Sequence, residues 1–415
     1  MKIRKSTILP TILCGVLLML AVSGSFIFFL SNNTVLALIA MAILAGTGMV
    51  ITKYRSINWT VPYLAVMFLV ILKDNCYLNT NIPNIVYYIL IYLLCFVFCV
   101  SSQIIPNWID FMLKWMKRCL MVYAVATIWL SIDRFSYINL VLPLFPNTRD
   151  QLLIQYNSGC IPGLTNHYST NGMFLATLTC LCATQFMTAS RKKNYWISLA
   201  VAVIALLLTG KRAHIGFTVL ALFSILYFYY SNNERKRITR LMGILIVGTF
   251  VAVALFTLVP SLAVVLERFQ IASQMDDPTL GRSGMVQTAM LLFLSNPIQG
   301  IGWGNTQSLV FVNTNIHNVY AQLLAETGIV GFTVFVGWFI IILVFTLRKI
   351  VAIRKGRIAA VPNELFHLCF SGCFQVFFLV YCMTGNPLYD RMMYIPYFIA
   401  CSITLYYNRV HKYNR

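Results

Sequence analysis

The sequence predicts an all-α, polytopic integral membrane protein that forms a single membrane domain over residues 1–415. Hydrophobic residues make up 59% of the 415 positions and charged residues only 10%, and the mean hydropathy is +0.78, which is far from the composition of a soluble domain. Apolar runs long enough to cross a bilayer recur along the chain. These runs are continuous rather than alternating, which indicates membrane helices and excludes a closed barrel.

The apolar runs predict about twelve membrane-spanning helices. The predicted spans are 7–30, 34–51, 57–72, 84–100, 117–132, 170–189, 195–209, 213–230, 241–262, 328–347, 365–383 and 392–407. The first run follows Lys2, Arg4 and Lys5, an arrangement typical of a signal peptide. Because this run continues to Leu30, the sequence favours an uncleaved first helix.

Lysine and arginine are concentrated in alternate loops. With the N-terminus in the cytoplasm, the inner side holds 23 of the 31 basic residues and 3 acidic residues, and the outer side holds eight of each. This asymmetry predicts that both termini are cytoplasmic and that the protein lies in the cytoplasmic (inner) membrane. It accounts for the net charge of +20 without a nucleic-acid partner.

Two outer loops, 133–169 and 263–327, are long enough to predict a functional role. The second contains "SGMVQTAMLLFLSNP", which predicts an amphipathic helix from about Ser283 to Pro297 on the outer membrane surface. Cys76 and Cys160 fall in outer loops, and both a disulfide between them and two free thiols are open alternatives.

Eight basic residues lie on the predicted outer side, where topology disfavours them. Four of them are expected to be solvated loop charges: Lys73, Arg134, Arg268 and Arg391. Lys211 and Arg212 differ, because they occupy the tip of a tight hairpin in "LLTGKRAHIG". The preceding run spans only about 22 Å as a helix, less than the ~30 Å hydrocarbon core, so the tip is expected near the lipid headgroups.

Two interpretations of the Lys211–Arg212 pair are open. The two side chains are either anchors that reach lipid phosphates or a binding site for a lipid-linked diphosphate. The second interpretation uses the chemistry of the pair, since an arginine offers a planar fork for bidentate phosphate contact and a neighbouring lysine adds a point charge.

The second long outer loop ends in "NPIQGIGWGNTQSLVFVNTNIHNVYAQLLAETGIVGF". Its glycines at 300, 302 and 304 predict a tight turn rather than a nucleotide-binding loop, because no βαβ context precedes them. His317 and Asn318 stand where a helix is expected to begin, and a polar cap and a functional role are both open for His317. Glu326 follows nine residues later, nearly half a turn out of phase, so we expect no direct pair with His317.

Several of these segments resemble the O-antigen ligase and polymerase superfamily. "SNPIQGIGWGN" followed by "HNVYAQLLAETGIVGF" is similar to its signature, and "TGKRAHIGF" and "GRSGMVQTAM" resemble two upstream blocks. "PGLTNHYSTNGMFLA" is similar to an earlier helix-entry block. The resemblance covers roughly residues 160–345. The hairpin departs from the common Ser-Arg-Gly, with Lys211-Arg212-Ala213 in its place.

The resemblance implies a metal-independent, inverting glycosyltransferase of the GT-C type with no cofactor. Such enzymes transfer glycans from undecaprenyl diphosphate to a sugar hydroxyl outside the cytoplasm. By position, Arg212 and Arg282 would bind the diphosphate, whose charge grows in the transition state. His317 would serve the acceptor as a general base, for which an imidazole is suited. Further candidate substrate-binding residues are Lys211, Asn318, His167 and Arg149.

Several alternatives remain within this prediction. A polymerase for O-antigen, capsule or exopolysaccharide is favoured because the "GKRAH" form is similar to capsule and exopolysaccharide members, and its partners would include a chain-length regulator. The alternative is an O-antigen ligase that acts on lipid A core or a protein. A transporter or flippase predicts repeat-related halves and midplane charges, which the sequence lacks. A metal-dependent enzyme would use Asp276 and Asp277, but the following Pro278 indicates a turn.

Overall fold

The computed structural model describes residues 8–53, 58–75, 82–232, 238–240, 242–243, 248, 282–306 and 316–413, and these residues form helices and no strand. In chain order the helices are α1 (Ile8–Val22), α2 (Asn32–Lys53), α3 (Thr60–Asn75), α4 (Ile82–Ser101), α5 (Trp108–Ile132), α6 (Arg149–Asn157), α7 (Tyr168–Thr188), α8 (Trp196–Leu208), α9 (Arg212–Tyr229), α10 (Arg282–Ser295), α11 (Val319–Arg354), α12 (Glu364–Tyr381) and α13 (Arg391–Tyr413). Shorter helical turns cover Gly24–Phe29, Ser102–Ile104, Arg134–Ser136, Tyr137–Val141, Leu142–Leu144, Pro146–Thr148 and Lys192–Asn194.

The predicted all-α membrane fold is confirmed. Within the described ranges, six helices are long and apolar enough to cross a membrane, namely α2, α4, α5, α9, α11 and α12. Helices α1, α3 and α8 are apolar but shorter. The predicted span 241–262 lies almost entirely outside the described residues.

Three helices differ in extent from the predicted spans. Helix α1 ends at Val22 because Gly24 adopts a left-handed φ of 52° and begins a 3₁₀ turn. Helix α5 begins at Trp108 instead of 117, because Lys114, Lys117 and Arg118 interrupt the apolar run without breaking the helix. Helix α11 begins at Val319, and its backbone is kinked and not helical at Gly328, where the predicted membrane span begins.

The chain divides into two compact units. Unit 1 consists of residues 1–112, 279–345 and 378–415. In it, α2 packs against α1 and α4, and α13 packs against the same two helices. The rings of Tyr92 and Tyr394 stack with their centroids 4.6 Å apart in this core.

Arg391 of unit 1 is not a solvated loop charge, so that prediction is wrong. Its side chain is only 9% exposed. Its guanidinium donates hydrogen bonds to the carbonyl oxygens of Gly24, at 2.6 Å, and Leu20, at 3.4 Å. These carbonyls lie at the end of α1, where a cation is favoured by the helix dipole. Arg134, by contrast, carries an exposed hydrogen bond to Asn157 Oδ1 at 3.0 Å.

Unit 2 consists of residues 113–278 and 346–377. Here α7 packs against α8 and α9. The predicted outer loop 133–169 is folded around its own hydrophobic cluster, which includes Tyr137 and Leu152. Tyr156 stacks on Tyr137 with centroids 4.3 Å apart and donates a hydrogen bond to Leu130 O at 2.8 Å. This loop therefore forms a fixed support for the residues that follow it.

Two smaller predictions about the outer loops have mixed outcomes. Cys160 is buried and Cys76 lies outside the described residues, so the disulfide and the pair of thiols both stay predictions. The predicted helix at 283–297 is present as α10. Its apolar side chains occupy both sides, since Met285 packs inward while Leu291 and Leu294 are each 67% exposed. Its apolar surface is therefore broader than the single face that we expected.

Candidate active site

The Lys211–Arg212 hairpin is held by a buried part of unit 2. Helix α8 has 13 residues, or about 20 Å, which confirms the short run predicted before the hairpin. Gly210 has a φ of 64°, and a Cβ added there would lie 2.7 Å from Cys160 Sγ. Ile161 N donates a hydrogen bond to Leu208 O at 3.1 Å. The tip is thus packed against the loop that precedes α7.

The two cations of the hairpin lie at the start of α9. Lys211 is the N-cap and Arg212 is the first residue of the helix, and both side chains are half-buried. The N-terminus of a helix carries a partial positive charge and is a favoured site for anions. Two cations at this end add to that positive charge. The helix end and the two side chains would therefore all favour a bound anion.

His167 and Tyr168 lie beside Lys211. The ammonium nitrogen of Lys211 is 5.4 Å from the centre of the Tyr168 ring. His167 caps α7, since its Nδ1 accepts a hydrogen bond from Ser169 N at 3.0 Å. Burial and the positive charge of Lys211 lower the pKa of His167 to about 4. The ring is therefore neutral near pH 7, with its proton on Nε2, and that N–H is a hydrogen-bond donor.

Buried amides fix the backbone around His167. Gln155 Oε1 accepts a hydrogen bond from Tyr168 N at 3.0 Å. Asn171 is fully buried, and its Nδ2 donates to Thr127 Oγ1 at 2.9 Å and to Ile161 O at 3.1 Å. Arg149 is exposed at the first residue of α6, and the contacts described around Lys211 do not include it.

The predicted glycine turn is confirmed in unit 1. Gly300, Gly302 and Gly304 all have left-handed φ values, between 72° and 105°. The turn lies against the kink in α11, because Gly302 N donates to Glu326 O at 2.8 Å. A Cβ on Gly300 would lie 2.3 Å from the carbonyl carbon of Glu326, and one on Gly328 would lie 2.3 Å from Ile298 O. Both glycines are needed for this backbone contact.

His317 immediately precedes the cap of α11. Its φ is 56°, a left-handed conformation that is uncommon outside glycine. Asn318 provides the cap, since its Oδ1 accepts a hydrogen bond from Ala321 N at 3.1 Å. On the other side, Ile316 is fully buried, and Val319 N donates to Cys382 O at 2.8 Å. His317 is half-buried, and its backbone is fixed on both sides.

Arg282 is the first residue of α10 and is half-buried. Ala289, two helical turns later, packs in one hydrophobic cluster with Ile316 and the first turns of α11. Unit 1 therefore contains Arg282, His317 and Asn318. Unit 2 contains the other candidates: Arg212, Lys211, His167 and Arg149.

The structure contains a buried polar network around Glu326 that the sequence-based candidates do not include. Glu326 is fully buried and accepts hydrogen bonds from the Thr306 hydroxyl, from Gln322 Nε2 at 2.9 Å and from the Tyr389 hydroxyl at 2.5 Å. Gln322 Oε1 in turn accepts from Asn386 Nδ2 at 3.0 Å. The sequence does contain one indication of this network, because Gln322 and Glu326 stand four residues apart in an apolar helix and so lie on the same helix face.

The described residues contain no group of three or more His, Cys, Asp or Glu side chains that could hold a metal ion. Asp276 and Asp277, the ligands in the metal-dependent alternative, lie outside those residues. His214 lies fully buried within α9 of unit 2, next to Gly172.

Residues 197–336 match the family model described as O-Antigen ligase. Over this segment the chain is similar to the O-antigen ligase and polymerase superfamily. The match confirms the resemblance in the sequence and supports a polymerase- or ligase-type function. The O-antigen ligase segment contains Lys211, Arg212, Arg282, His317 and Asn318, whereas Arg149 and His167 precede it. No curated protein matches the chain.

Proposed function

We propose that this protein is a metal-independent, inverting glycosyltransferase that polymerises oligosaccharide repeats carried on undecaprenyl diphosphate. Its products would be O-antigen, capsule or exopolysaccharide, made on the outer side of the cytoplasmic membrane, with both termini in the cytoplasm. The observation that carries the proposal is the pair Lys211 and Arg212 at the positive end of α9, directly after the 13-residue α8, which is too short to cross a bilayer.

In this proposal the diphosphate of the donor binds to Arg212, Lys211 and Arg282. Arginine forms two parallel hydrogen bonds to phosphate oxygens, and lysine adds charge. These groups stabilise the charge that develops on the leaving diphosphate. The neutral His167 contributes its Nε2–H as a donor to the same substrate. Arg149 is assigned to the sugar part of the donor, from its position in the adjacent outer loop.

The transfer step is a single displacement with His317 as the general base. The acceptor hydroxyl oxygen attacks the anomeric carbon, and the bond from that carbon to the diphosphate oxygen breaks. The electron pair leaves with undecaprenyl diphosphate, and the hydroxyl proton passes to the imidazole. One displacement inverts the anomeric configuration. Because Oδ1 of Asn318 is used by the cap, the amide NH₂ is the part that would contact the acceptor.

Transfer of the glycan to a different acceptor, as by an O-antigen ligase, is the second candidate function. It is supported by the matched family model, which is described as O-Antigen ligase. A polymerase needs only lipid-linked repeats and works with a chain-length regulator, whereas a ligase also needs lipid A core or a protein acceptor. A transporter would form no glycosidic bond.

Reconstitution of the purified protein in liposomes with undecaprenyl-diphosphate-linked repeats tests the proposal. A ladder of lengthened glycans without another acceptor, retained in EDTA, is expected. Product only after addition of lipid A core would indicate a ligase. Loss of product in EDTA would contradict metal independence, and no glycosidic bond formation under any condition would favour a transporter.

A further inference from the structure

Unit 2 contains a second basic site at the opposite end of α9. A cavity of about 820 Å³ lies among the C-terminal ends of α7, α9 and α11, and its lining includes Lys192, Arg240 and Arg354. Arg212 and Tyr229, the first and last residues of α9, are 17 residues apart, or about 26 Å along the helix. This cavity is therefore separate from the cations assigned to the donor diphosphate.

The arginines of the cavity are positioned by two adjacent tyrosines. The Arg354 guanidinium carbon lies 4.3 Å from the centre of the Tyr229 ring, and Arg354 Nε donates a hydrogen bond to Tyr229 O at 2.8 Å. The guanidinium carbon of Arg240 lies 5.1 Å from the centre of the Tyr230 ring. A cation–π contact of this kind restrains the guanidinium, whose planar fork of N–H donors suits phosphate.

The charge of the cavity is of one sign. Three of the described lining residues are cationic and none is acidic. The hydroxyl of Tyr229 donates a hydrogen bond to Met187 O at 3.3 Å, which holds the end of α9 against the end of α7. Like charges held around one space repel each other, and an anion between them is the arrangement that offsets this repulsion.

The location of the cavity indicates the kind of anion. The cations follow the ends of apolar helices: Lys192 lies four residues after α7, and Arg354 is the last residue of α11. The charge asymmetry of the sequence places these ends on the cytoplasmic side, where membranes carry anionic lipids. Basic pockets between membrane helices on that side bind anionic headgroups.

We propose that this cavity binds a phosphate ester at the cytoplasmic membrane surface. The phosphate is carried either by the headgroup of an anionic phospholipid or by a soluble phosphate ester. The proposal does not depend on the glycosyl-transfer function, because none of these residues belongs to the donor or acceptor sites. Arg354 also satisfies a C-terminal carbonyl of α9, so the test variants leave it unchanged.

Lipid retention in native mass spectrometry tests the proposal. The full-length protein is exchanged into detergent with equal amounts of phosphatidylglycerol and phosphatidylcholine of the same acyl chains. The test variant is Lys192→Gln with Arg240→Gln. The matched control is Lys193→Gln with Lys355→Gln, which removes two exposed cations that are adjacent in sequence to the lining residues Lys192 and Arg354 but do not line the cavity.

Wild type and control are expected to retain phosphatidylglycerol in preference to phosphatidylcholine, and the test variant to lose about tenfold of that retention. Equal retention of both lipids by the wild type, or equal loss in test and control variants, would overturn a lipid site.

A second arm titrates glycerol 1-phosphate into lipid-free protein by calorimetry. Binding that is lost only in the test variant would support the soluble source of the phosphate. If neither the lipid nor glycerol 1-phosphate distinguishes the test variant from the control, the cavity is not a phosphate site. Because the readout is binding, a negative result here is separate from a failure of the transfer assay.

Discussion

The hydroxyl of Tyr389 donates a 2.5 Å hydrogen bond to the buried carboxylate of Glu326. Glu326 also accepts from Thr306, which follows the glycine turn, and from Gln322, in the first turns of α11. One carboxylate thus joins three segments of unit 1. Its backbone carbonyl receives Gly302 N at 2.8 Å, so side chain and main chain together fix the turn against the helix that begins beside His317.

Removal of the Tyr389 hydroxyl is expected to destabilise this network. Tyr389→Phe leaves the ring that stacks on Trp303 at 4.9 Å but deprives a buried carboxylate of one donor. We expect the free energy of unfolding to fall by about 1.5–3 kcal/mol, the usual contribution of a hydrogen bond to a charged group. Reversible denaturation in detergent measures the change.

Tyr394→Phe is the matched control for that variant. Tyr394 is also fully buried in unit 1, but no described residue accepts or donates a hydrogen bond at its hydroxyl. Loss of this hydroxyl is expected to be neutral or slightly stabilising. Equal destabilisation by the two substitutions would show that the Glu326 bond contributes nothing specific.

The backbone contact between the glycine turn and α11 gives a second prediction. Gly328 has φ 62° and ψ −168°, a region that is essentially restricted to glycine and costs about 1–3 kcal/mol for other residues. A Cβ there would also lie 2.3 Å from Ile298 O. Gly328→Ala should therefore sharply reduce the amount of folded protein, measured by monodisperse elution in detergent.

Gly15→Ala provides the comparison for Gly328→Ala. Gly15 lies inside α1, and a Cβ there would have no neighbour within 4 Å. Alanine is preferred to glycine in a helix by about 1 kcal/mol, so this variant should fold at least as well as the wild type. Normal folding of Gly328→Ala would mean that the kink does not require glycine.

Much of the candidate site could be predicted because it depends on local sequence. The short run before Lys211 and the pair of cations identify the hairpin without any tertiary information. The glycine turn is likewise local, since Gly300, Gly302 and Gly304 each adopt a positive φ. The helix expected to begin at His317 and Asn318 does begin at Val319, and the membrane run expected from 328 begins at the kink, where the backbone of Gly328 is not helical.

The Glu326 network could not be predicted in the same way. Tyr389 lies 63 residues after Glu326, and Thr306 lies 20 residues before it. Hydropathy places Glu326 at the edge of an apolar run, where an exposed loop charge is the ordinary expectation. Arg391 was misjudged for the same reason, because its acceptors at Leu20 and Gly24 lie at the other end of the chain.

Donor binding gives the third prediction. Arg212→Ala should reduce glycan transfer by about 10²–10³-fold, the usual cost of one group that stabilises developing charge. Arg212→Lys should be nearly as impaired because the planar fork is lost, and Lys211→Ala should have a smaller effect. The assay is the rate of transfer in liposomes at equal protein density.

Arg134→Ala is the control for the donor series, since Arg134 is an exposed cation on the predicted outer side and its hydrogen bond to Asn157 is also exposed. It should retain wild-type transfer. A fully active Arg212→Lys protein would rule out bidentate recognition of the diphosphate by Arg212.

Topology gives the fourth prediction. In a cysteine-free background, Gln299→Cys should react with a membrane-impermeant maleimide added from outside, because Gln299 is exposed and lies on the predicted outer side. Lys355→Cys, equally exposed but on the predicted inner side, should react only after the membrane is permeabilised. The opposite pattern would place the proposed acceptor site in the cytoplasm and exclude the proposed reaction.

The last prediction separates the two histidines by their pH dependence. The low pKa of His167, about 4, keeps that ring neutral over the range in which an ordinary imidazole titrates. A decrease in transfer as the pH falls below about 7 would therefore come from another group, and His317 is the proposed base. His317→Gln should lower turnover by about 10²–10⁴-fold and abolish this part of the pH profile, with donor binding nearly unchanged.

His167→Gln should weaken donor binding but leave the shape of the profile intact, because His167 does not change its charge there. Asn318→Ala, which removes the cap of α11, should lower stability by about 1 kcal/mol while the profile is retained. A structural role for His317 would likewise lower stability without a change in pH dependence. Near wild-type turnover in His317→Gln, with the same profile, would therefore withdraw the assignment of His317 as the base.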